Sequence, residues 1–222
     1  MQNPNSLSTR ARRMLTSSLF LLVFGSCFSI MLAMAYASIG PTPQERFITL
    51  STTGSDMTTR SLYPSSSSRV GQDETLNWNV HTFNHMGETE YIAIRVKLLN
   101  ATQQAPDEVR HMPSPAGHIY EERLVLGEGE SSVTPLSITL KDAQVLRDNS
   151  AHIRALTING KGIDGLDVSN FNSNGFRFVL ELWRYDVEQE DFVYSWSSGL
   201  ESESAWNQIR IALKQPTLTG AS

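Results

Sequence analysis

The sequence predicts a mainly β protein, in which an N-terminal transmembrane helix precedes an antiparallel, immunoglobulin-like β-sandwich ectodomain. Three observations support this fold class. One uncharged apolar run, residues 14–40, directly follows three arginines. Several later segments alternate apolar and polar residues with a period of two, which is typical of half-buried strands. The only cysteine, Cys27, lies in the apolar run, so the remainder must be stabilised by a hydrophobic core without intrachain disulfides.

The apolar run is long enough to cross a bilayer, because about 20 apolar residues span the hydrocarbon core as a helix. Arg10, Arg12 and Arg13 lie on its N-terminal flank only. An excess of Lys and Arg marks the cytoplasmic side of a membrane segment. We therefore expect a single-pass protein of the cell membrane, with its N-terminus cytoplasmic and its C-terminal domain extracytoplasmic.

Two other interpretations of this run remain open. The small residues around Met34 and Tyr36 could form a signal-peptidase site, although the run exceeds the usual h-region of about 7–15 residues. Cys27 could be a lipoprotein cysteine, but the chain stays apolar beyond it, which suits a continuing helix better. Length favours an uncleaved anchor.

The domain organisation follows from these features and from changes in composition. Residues 1–13 are a basic cytoplasmic leader and residues 14–40 the transmembrane helix or uncleaved signal anchor. Residues 41–68 form a linker rich in Ser and Thr, in which 51–68 is a loop or a weak edge strand. Residues 69–215 form the β-sandwich domain, and 216–222 are a polar tail.

Six segments carry the clearest strand pattern. They are residues 76–80, 92–98, 119–126, 176–185, 192–196 and 209–213. We expect the strands of Trp78 and Phe178 to form the centre of the core. Residues 186–191 are predicted as a hairpin turn, residues 103–117 and 159–175 as long loops, and residues 141–154 as the one stretch with helical character.

Charge limits the classes of partner. The chain has a net charge of −5, and all 23 acidic residues follow residue 44, together with 15 of the 18 basic residues, so that part carries −8. An acidic surface repels phosphate backbones, so we expect no nucleic-acid partner. Membrane lipid contacts residues 14–40 in this interpretation, and we expect a protein partner at the cell surface.

Several short motifs resemble an archaeal membrane-anchored family catalogued as domain of unknown function sixteen-sixteen. They are Tyr63-Pro64, Val70-Gly71-Gln72-Asp73-Glu74, Asn84-His85-Met86-Gly87, residues 91–100 and the strand Phe178-Val179-Leu180-Glu181-Leu182-Trp183. The resemblance covers most of residues 45–215. It implies an extracytoplasmic β domain in an archaeal membrane and no particular reaction.

Whether a metal ion binds is left open by the sequence. Candidate ligands are His81, His85, His111, His118, Asp164 and Asp167. Two of the histidines precede methionine, a combination that suits copper, although the thiolate of a blue-copper centre is missing. The oxygen-rich segment 159–175 could hold calcium but lacks the EF-hand spacing. Solvated surface residues are the simpler interpretation of both groups.

No catalytic or cofactor-binding motif is recognisable. The chain has no nucleophile elbow and no glycine-rich phosphate loop, so we expect neither a cofactor nor enzymatic activity. Asn100-Ala101-Thr102 is a sequon that could carry a glycan at Asn100 in an exported domain.

Two functional hypotheses follow. The first is a non-enzymatic binding or structural protein of the cell envelope, with an aromatic patch on one sheet and Trp183 or Trp196 as exposed anchors. The second is an accessory subunit of a membrane enzyme that binds a small ligand or metal ion through loops held by rigid strands.

Overall fold

A computed structural model describes residues 9–38, 46–65, 67–197 and 202–215, with the side chains of the helix described from residue 20 to 36. The chain divides into two compact units, residues 1–44 and 45–222. The first contains one helix, α1 (Thr9–Ser38). In the described part of the chain, no helix combines the length and hydropathy that a membrane crossing requires. The predicted span of residues 14–40 extends beyond the described side chains on both sides.

The second unit is built from fourteen described strands and a short 3-10 helix, Thr59–Ser61. The strands are β1 (Phe47–Gly54), β2 (Arg69–Val70), β3 (Thr75–His85), β4 (Glu90–Leu99), β5 (Tyr120–Leu126), β6 (Ser131–Val145), β7 (Ala151–Ile158), β8 (Lys161–Ile163), β9 (Val168–Asn170), β10 (Asn174–Asp186), β11 (Asp191–Val193), β12 (Trp196–Ser197), β13 (Ser202–Glu203) and β14 (Ala205–Leu213). They form two six-stranded sheets and the small β12–β13 pair.

The first sheet has the order β1-β3-β6-β7-β8, with β9 also paired to β7. The second has the order β2-β14-β10-β4-β5, with β11 paired to the end of β10. In an immunoglobulin-like frame, β1-β3-β6 take the places of strands A, B and E, and β14-β10-β4 those of G, F and C. The mainly β, immunoglobulin-like prediction is therefore confirmed. One pair departs from the antiparallel rule, since β2 runs parallel to β14.

The two sheets share one hydrophobic core, to which both contribute buried aliphatic and aromatic side chains. Trp78 of β3 and Phe178 of β10 meet across it edge to face, with ring centroids 5.4 Å apart. Both rings are buried, as the sequence predicts. The indole of Trp78 donates a hydrogen bond of 2.8 Å to the carbonyl of Leu62, which ties the long β1–β2 connection to the core. A smaller cluster around Met86 and Trp196 is a second group of buried apolar residues.

The helical interpretation of residues 141–154 is wrong. This stretch contains the end of β6, a turn and the start of β7. The pairing of β6 with β7 shifts register between Leu140 and Ala143, which is a β-bulge. Because of the bulge, buried Leu140 and Ala143 lie three positions apart instead of two. A spacing of three is typical of one face of a helix.

Other strand predictions need smaller corrections. The first half of β6 is not among the predicted strands, and it contains Pro135, a residue that is unusual in a central strand. The predicted loop 159–175 contains the short strands β8 and β9. The segment 51–68 contains the end of edge strand β1 and then a loop, whereas the 103–117 loop and the 186–191 turn agree with the structure.

Candidate functional site

The outer face of the second sheet carries a buried ion pair. Lys97 of β4 and Glu181 of β10 lie on diagonal positions of neighbouring strands, and Nζ is 2.8 Å from Oε2. The exposed fractions of their side chains are only 5% and 0%. A buried ion pair is unusual on the outer face of a sheet, which is normally exposed to solvent, so another part of the chain must shield it.

The cover is the β4–β5 connection, residues 100–119. The backbone N–H of Ser114 donates to Glu181 Oε1 at 2.8 Å, while Lys97 Nζ donates to the Ser114 carbonyl at 2.6 Å. The indole of Trp183 donates to Glu181 Oε2 at 3.0 Å. Every charged atom of the pair thus has partners, and the pair holds the long loop against the sheet.

A cluster of aromatic rings continues along this outer face from the ion pair towards the far end of β10. We call it the aromatic face, and it consists of Tyr91, Trp183, Tyr185, Phe192 and Tyr194. Ring centroids of neighbouring members are 5.1–5.7 Å apart. These separations are within the range of favourable aromatic pairs. Burial raises the pKa of Tyr194, and nearby carboxylate charge acts in the same direction.

Two arginines cover parts of the aromatic face. The Arg95 guanidinium lies 4.1 Å from the centre of the Trp183 ring, and that of Arg123 lies 4.9 Å from the centre of Phe192. Both bind Glu121, at 2.7 and 2.6 Å. Burial raises the pKa of Glu121, but the two arginine hydrogen bonds outweigh it and hold the pKa below its usual value. Glu121 is therefore a charged bridge between the arginines at neutral pH.

The edge of the aromatic face is exposed and apolar. Tyr91 is paired directly with Val125 of edge strand β5, and Val125 is 62% exposed. Val187, in the turn after Tyr185, is 80% exposed. Tyrosine and arginine are both enriched in protein interfaces relative to the rest of a protein surface.

The two predicted tryptophan anchors do not have the exposure expected of them. Trp196 is 5% exposed and packs with Met86 in the smaller hydrophobic cluster. Trp183 is half-buried beneath Arg95. The aromatic patch itself is present, but Tyr91 is its exposed ring, whereas Tyr185 is half-buried and Tyr194 is buried. The alternation of Tyr91 with the apolar Ile92 is the signal in the sequence that Tyr91 faces outward. The aromatic residues that surround Tyr91 come from strands that are distant in the sequence, so the sequence does not reveal them.

The candidate metal ligands occupy separate settings. His81 Nε2 is 2.8 Å from the Thr53 hydroxyl, and His85 Nδ1 is 2.9 Å from Glu128 Oε1. His111 Nδ1 is 3.0 Å from the Ser204 hydroxyl. Exposed positions are taken by His118, Asp164 and Asp167. Across the described ranges, no group of three or more His, Cys, Asp or Glu side chains is arranged to hold a metal ion.

A pocket of about 420 Å³, lined mostly by polar residues, lies at one end of the sandwich. We call it the end pocket, and its lining is Asn100, Thr102, Asp148, Ser150, His152, Ser169, Asn170 and Phe171. The Phe171 ring is 87% exposed. Asn100, the sequon asparagine, follows the last residue of β4 and donates from Nδ2 to the Ser169 carbonyl at 3.0 Å. Glycosylation at Asn100 stays a prediction, and a glycan there would begin in this pocket.

Comparisons with known proteins provide structural neighbours of low similarity. No family model and no curated protein sequence matches the chain. The CARDB domain of the PF1109 protein from Pyrococcus furiosus, in complex with di-metal ions, is 11% identical with a TM-score of 0.37, over 79% of this chain and 94% of that one. A β-glucosidase from Listeria innocua, in complex with glucose, is 12% identical with a TM-score of 0.32, over 75% of this chain and 16% of that one. At these scores neither similarity assigns a function, and the resemblance to the archaeal family is not confirmed.

Proposed function

We propose that this protein is a membrane-anchored, extracytoplasmic β-sandwich with a non-enzymatic binding role at the cell envelope. Its partner is a protein at the cell surface, which docks on the aromatic face. The observation that supports this proposal is the exposed apolar edge of that face, formed by Tyr91 and its cross-strand partner Val125, together with exposed Val187 in the turn after Tyr185. Tyrosine and arginine are enriched among the residues that dominate binding energy in protein interfaces.

The layout of the aromatic face suits binding because its anchors are held in place. Tyr91 packs against Tyr185 and Phe192 in tilted ring pairs, at 5.6 and 5.1 Å between ring centroids. Arg123 is fixed between Glu121 and the Phe192 ring. Side chains that are ordered before binding lose little conformational entropy when a partner arrives. A preorganised surface therefore converts more of its contact energy into affinity.

The membrane anchor is supported by the apolar run after Arg13 and by its length. Phe20, Leu21 and Leu22 are 69–73% exposed, and every other described side chain of α1 is exposed as well. A helix that presents apolar side chains on all sides is typical of a membrane environment. Anchoring and orientation are expectations that extraction and tagging experiments test.

Site-specific photo-crosslinking tests the binding surface. A photoreactive phenylalanine analogue at Val125, in the full chain expressed in its native membrane, should form an adduct of one defined mass. The matched control is the same analogue at Val133, which is 45% exposed on β6 of the other sheet and should form none. A second variant, Val125→Arg with a crosslinker at Val187, should lose the adduct.

Three outcomes would contradict the proposal. Adducts of equal yield at positions 125 and 133 would mean that capture does not depend on the aromatic face. Absence of any adduct at positions 125 and 187 would contradict the docking of a protein partner on the aromatic face. An adduct of twice the chain mass would make the face a contact between two copies instead of a site for another protein.

A small-ligand accessory subunit is the second candidate function, and the end pocket favours it. Amide, hydroxyl and imidazole groups converge there beside the exposed ring of Phe171, a combination of polar groups and an apolar surface that is typical of ligand sites. Native mass spectrometry of the full chain should then detect a small ligand that is lost in Phe171→Ser and retained in Val125→Arg.

A further inference from the structure

Two arginines lie directly opposite each other on the outer face of the second sheet, at the end away from the aromatic face. Arg177 of β10 pairs with Arg210 of β14 in the antiparallel ladder. Like charges at directly opposed positions repel, because the side chains are about 5 Å apart at Cβ. Such a pair is destabilising by itself, and an anion beside the two groups would relieve the repulsion.

The surroundings do not provide that anion. Among the ion pairs of the described residues, none involves Arg177 or Arg210. Arg177 donates from Nη2 to the carbonyl of Asn100 at 3.1 Å and also to that of Gln103, whereas its Nε is buried and has no hydrogen-bond partner. Burial, together with the charge of Arg210, lowers the pKa of Arg177. A buried guanidinium donor is thus left unused.

The unused donor belongs to a residue that lines a small cavity. We call this cavity the arginine notch, and it is lined by Ala101, Gly175, Arg177 and Arg210 with a volume of about 160 Å³. At about 30 Å³ for each water molecule, it holds roughly five waters. That is enough room for a carboxylate, sulfate or phosphate group.

A β-bulge shapes the notch. The β10–β14 register shifts between Asn174 and Phe176, and Gly175 adopts a φ of 97°. A side chain at this position would be strained, and its Cβ would lie 2.9 Å from Asn170 Nδ2 and 3.0 Å from Ala101 Cβ. Bulges often occur beside functional sites, where they redirect side chains and end regular pairing.

We propose that the arginine notch binds one oxyanion group of a ligand, a carboxylate, sulfate or phosphate, between Arg177 and Arg210. Guanidinium groups recognise such groups through paired N–H donors in a fixed planar geometry. The anion relieves the repulsion between the two arginines and supplies an acceptor near the unused Nε of Arg177. This site is separate from the aromatic face and does not depend on the protein partner proposed there.

The test uses the full chain in detergent and follows binding of inorganic phosphate, sulfate and acetate by titration calorimetry, with sodium chloride at matched ionic strength as reference. The main variant is Arg210→Gln, whose side chain is exposed and has no ion pair among the described residues. The matched control is Arg154→Gln, an exposed arginine on β7 of the other sheet. We expect the dissociation constant to rise at least tenfold in R210Q and to stay unchanged in R154Q.

Thermal unfolding gives a second, independent signature. Without an oxyanion at low ionic strength, R210Q should melt at a higher temperature than the parent chain, because the like-charge pair is gone. Added oxyanion should reverse this order by stabilising the parent chain alone. General salt effects of sulfate and phosphate act on all variants and do not reverse the order.

Arg210→Lys separates charge from geometry. It keeps the like-charge pair but loses the planar fork, so it should bind the oxyanion more weakly without the gain in melting temperature. The proposal is overturned if R210Q and R154Q bind and melt alike, or if the parent chain binds none of the three anions more tightly than chloride. The three anions also show which oxyanion the notch prefers.

Discussion

At the residue scale, the Lys97–Glu181 pair shows how polar groups organise the outer face of the second sheet. Two charges are removed from water here, which costs more than their attraction returns unless hydrogen bonds complete both groups. Ser114 and Trp183 supply those bonds. The pair therefore contributes mainly by fixing where the 100–119 loop lies.

Removing one partner of this pair should be costly. Lys97→Met leaves the buried carboxylate of Glu181 without its counter-charge, and we expect the free energy of unfolding in urea to fall by about 3–5 kcal/mol. Adding Glu181→Gln should recover part of that loss, because no buried charge then remains. The control is Lys141→Met, which removes an exposed pair with Asp73 and should cost less than about 1 kcal/mol. Equal losses for Lys97→Met and Lys141→Met would contradict this prediction.

Glu90 should make stability depend on pH. Burial raises its pKa above the ordinary value of 4.5, and the hydrogen bond from Arg184 offsets only part of the effect. A carboxyl whose folded pKa is raised stabilises the fold fully below the unfolded pKa, and this contribution disappears as the pH rises through the folded pKa. We expect the unfolding free energy of the parent chain, measured by urea titration from pH 4 to 8, to decline relative to that of Glu90→Gln as the pH rises.

The control for that series is Glu188→Gln, an exposed carboxyl in the β10–β11 turn. Its pH profile should overlay that of the parent chain. If the pH profile of Glu90→Gln also overlays that of the parent chain, burial does not raise the pKa of Glu90 and the argument fails.

At the element scale, β6 explains why sequence patterns predicted some strands and missed others. Pro135 is tolerated because its missing N–H lies on the side of β6 where pairing with β7 has ended. There Asn159 Nδ2 donates to the Pro135 carbonyl at 3.0 Å, and its Oδ1 accepts from the Ser137 N–H at 2.8 Å. An asparagine from the β7–β8 turn thus substitutes for a strand. The alternation Leu136, Ile138, Leu140 is a signal that could have revealed this half of β6.

The turn that ends β1 should not tolerate a side chain at Gly54. A Cβ there would overlap the backbone carbonyl of Ser61, and the Gly54 carbonyl already accepts from Asn79 Nδ2 at 2.9 Å. Gly54→Ala should lower the free energy of unfolding by about 1–3 kcal/mol through overpacking. Gly117→Ala, where nothing lies within 4 Å of the new Cβ, should change it by less than about 0.5 kcal/mol. Urea unfolding measures both, and similar values for the two would show that the β1 turn can relax.

At the scale of the whole molecule, the arginines before the apolar run predict its orientation. An N-terminal epitope tag should be protected in intact cells, and a C-terminal tag should be accessible to antibody, because a basic flank stays cytoplasmic. Permeabilised cells, in which both tags bind, are the control. An N-terminal tag that is accessible in intact cells would contradict the predicted orientation. Release of both tags from membranes by carbonate extraction would contradict the membrane anchor.

The sequence by itself determined the six period-two segments and the burial of Trp78 and Phe178. These are local properties, because alternation of apolar residues states which side of a strand meets the core. The apolar run and the acidic charge of the rest of the chain are also read directly from the sequence.

Only the tertiary structure decided which distant residues meet. The bulges in β6 and β10, the cover over Lys97 and Glu181, and the opposition of Arg177 and Arg210 depend on strand register. Register is set by how two sheets fill one core, and a shift of one residue would turn each side chain to the other face. The amino-acid sequence by itself does not give the register between distant strands. The aromatic face and the arginine notch are therefore recognised only in the tertiary structure.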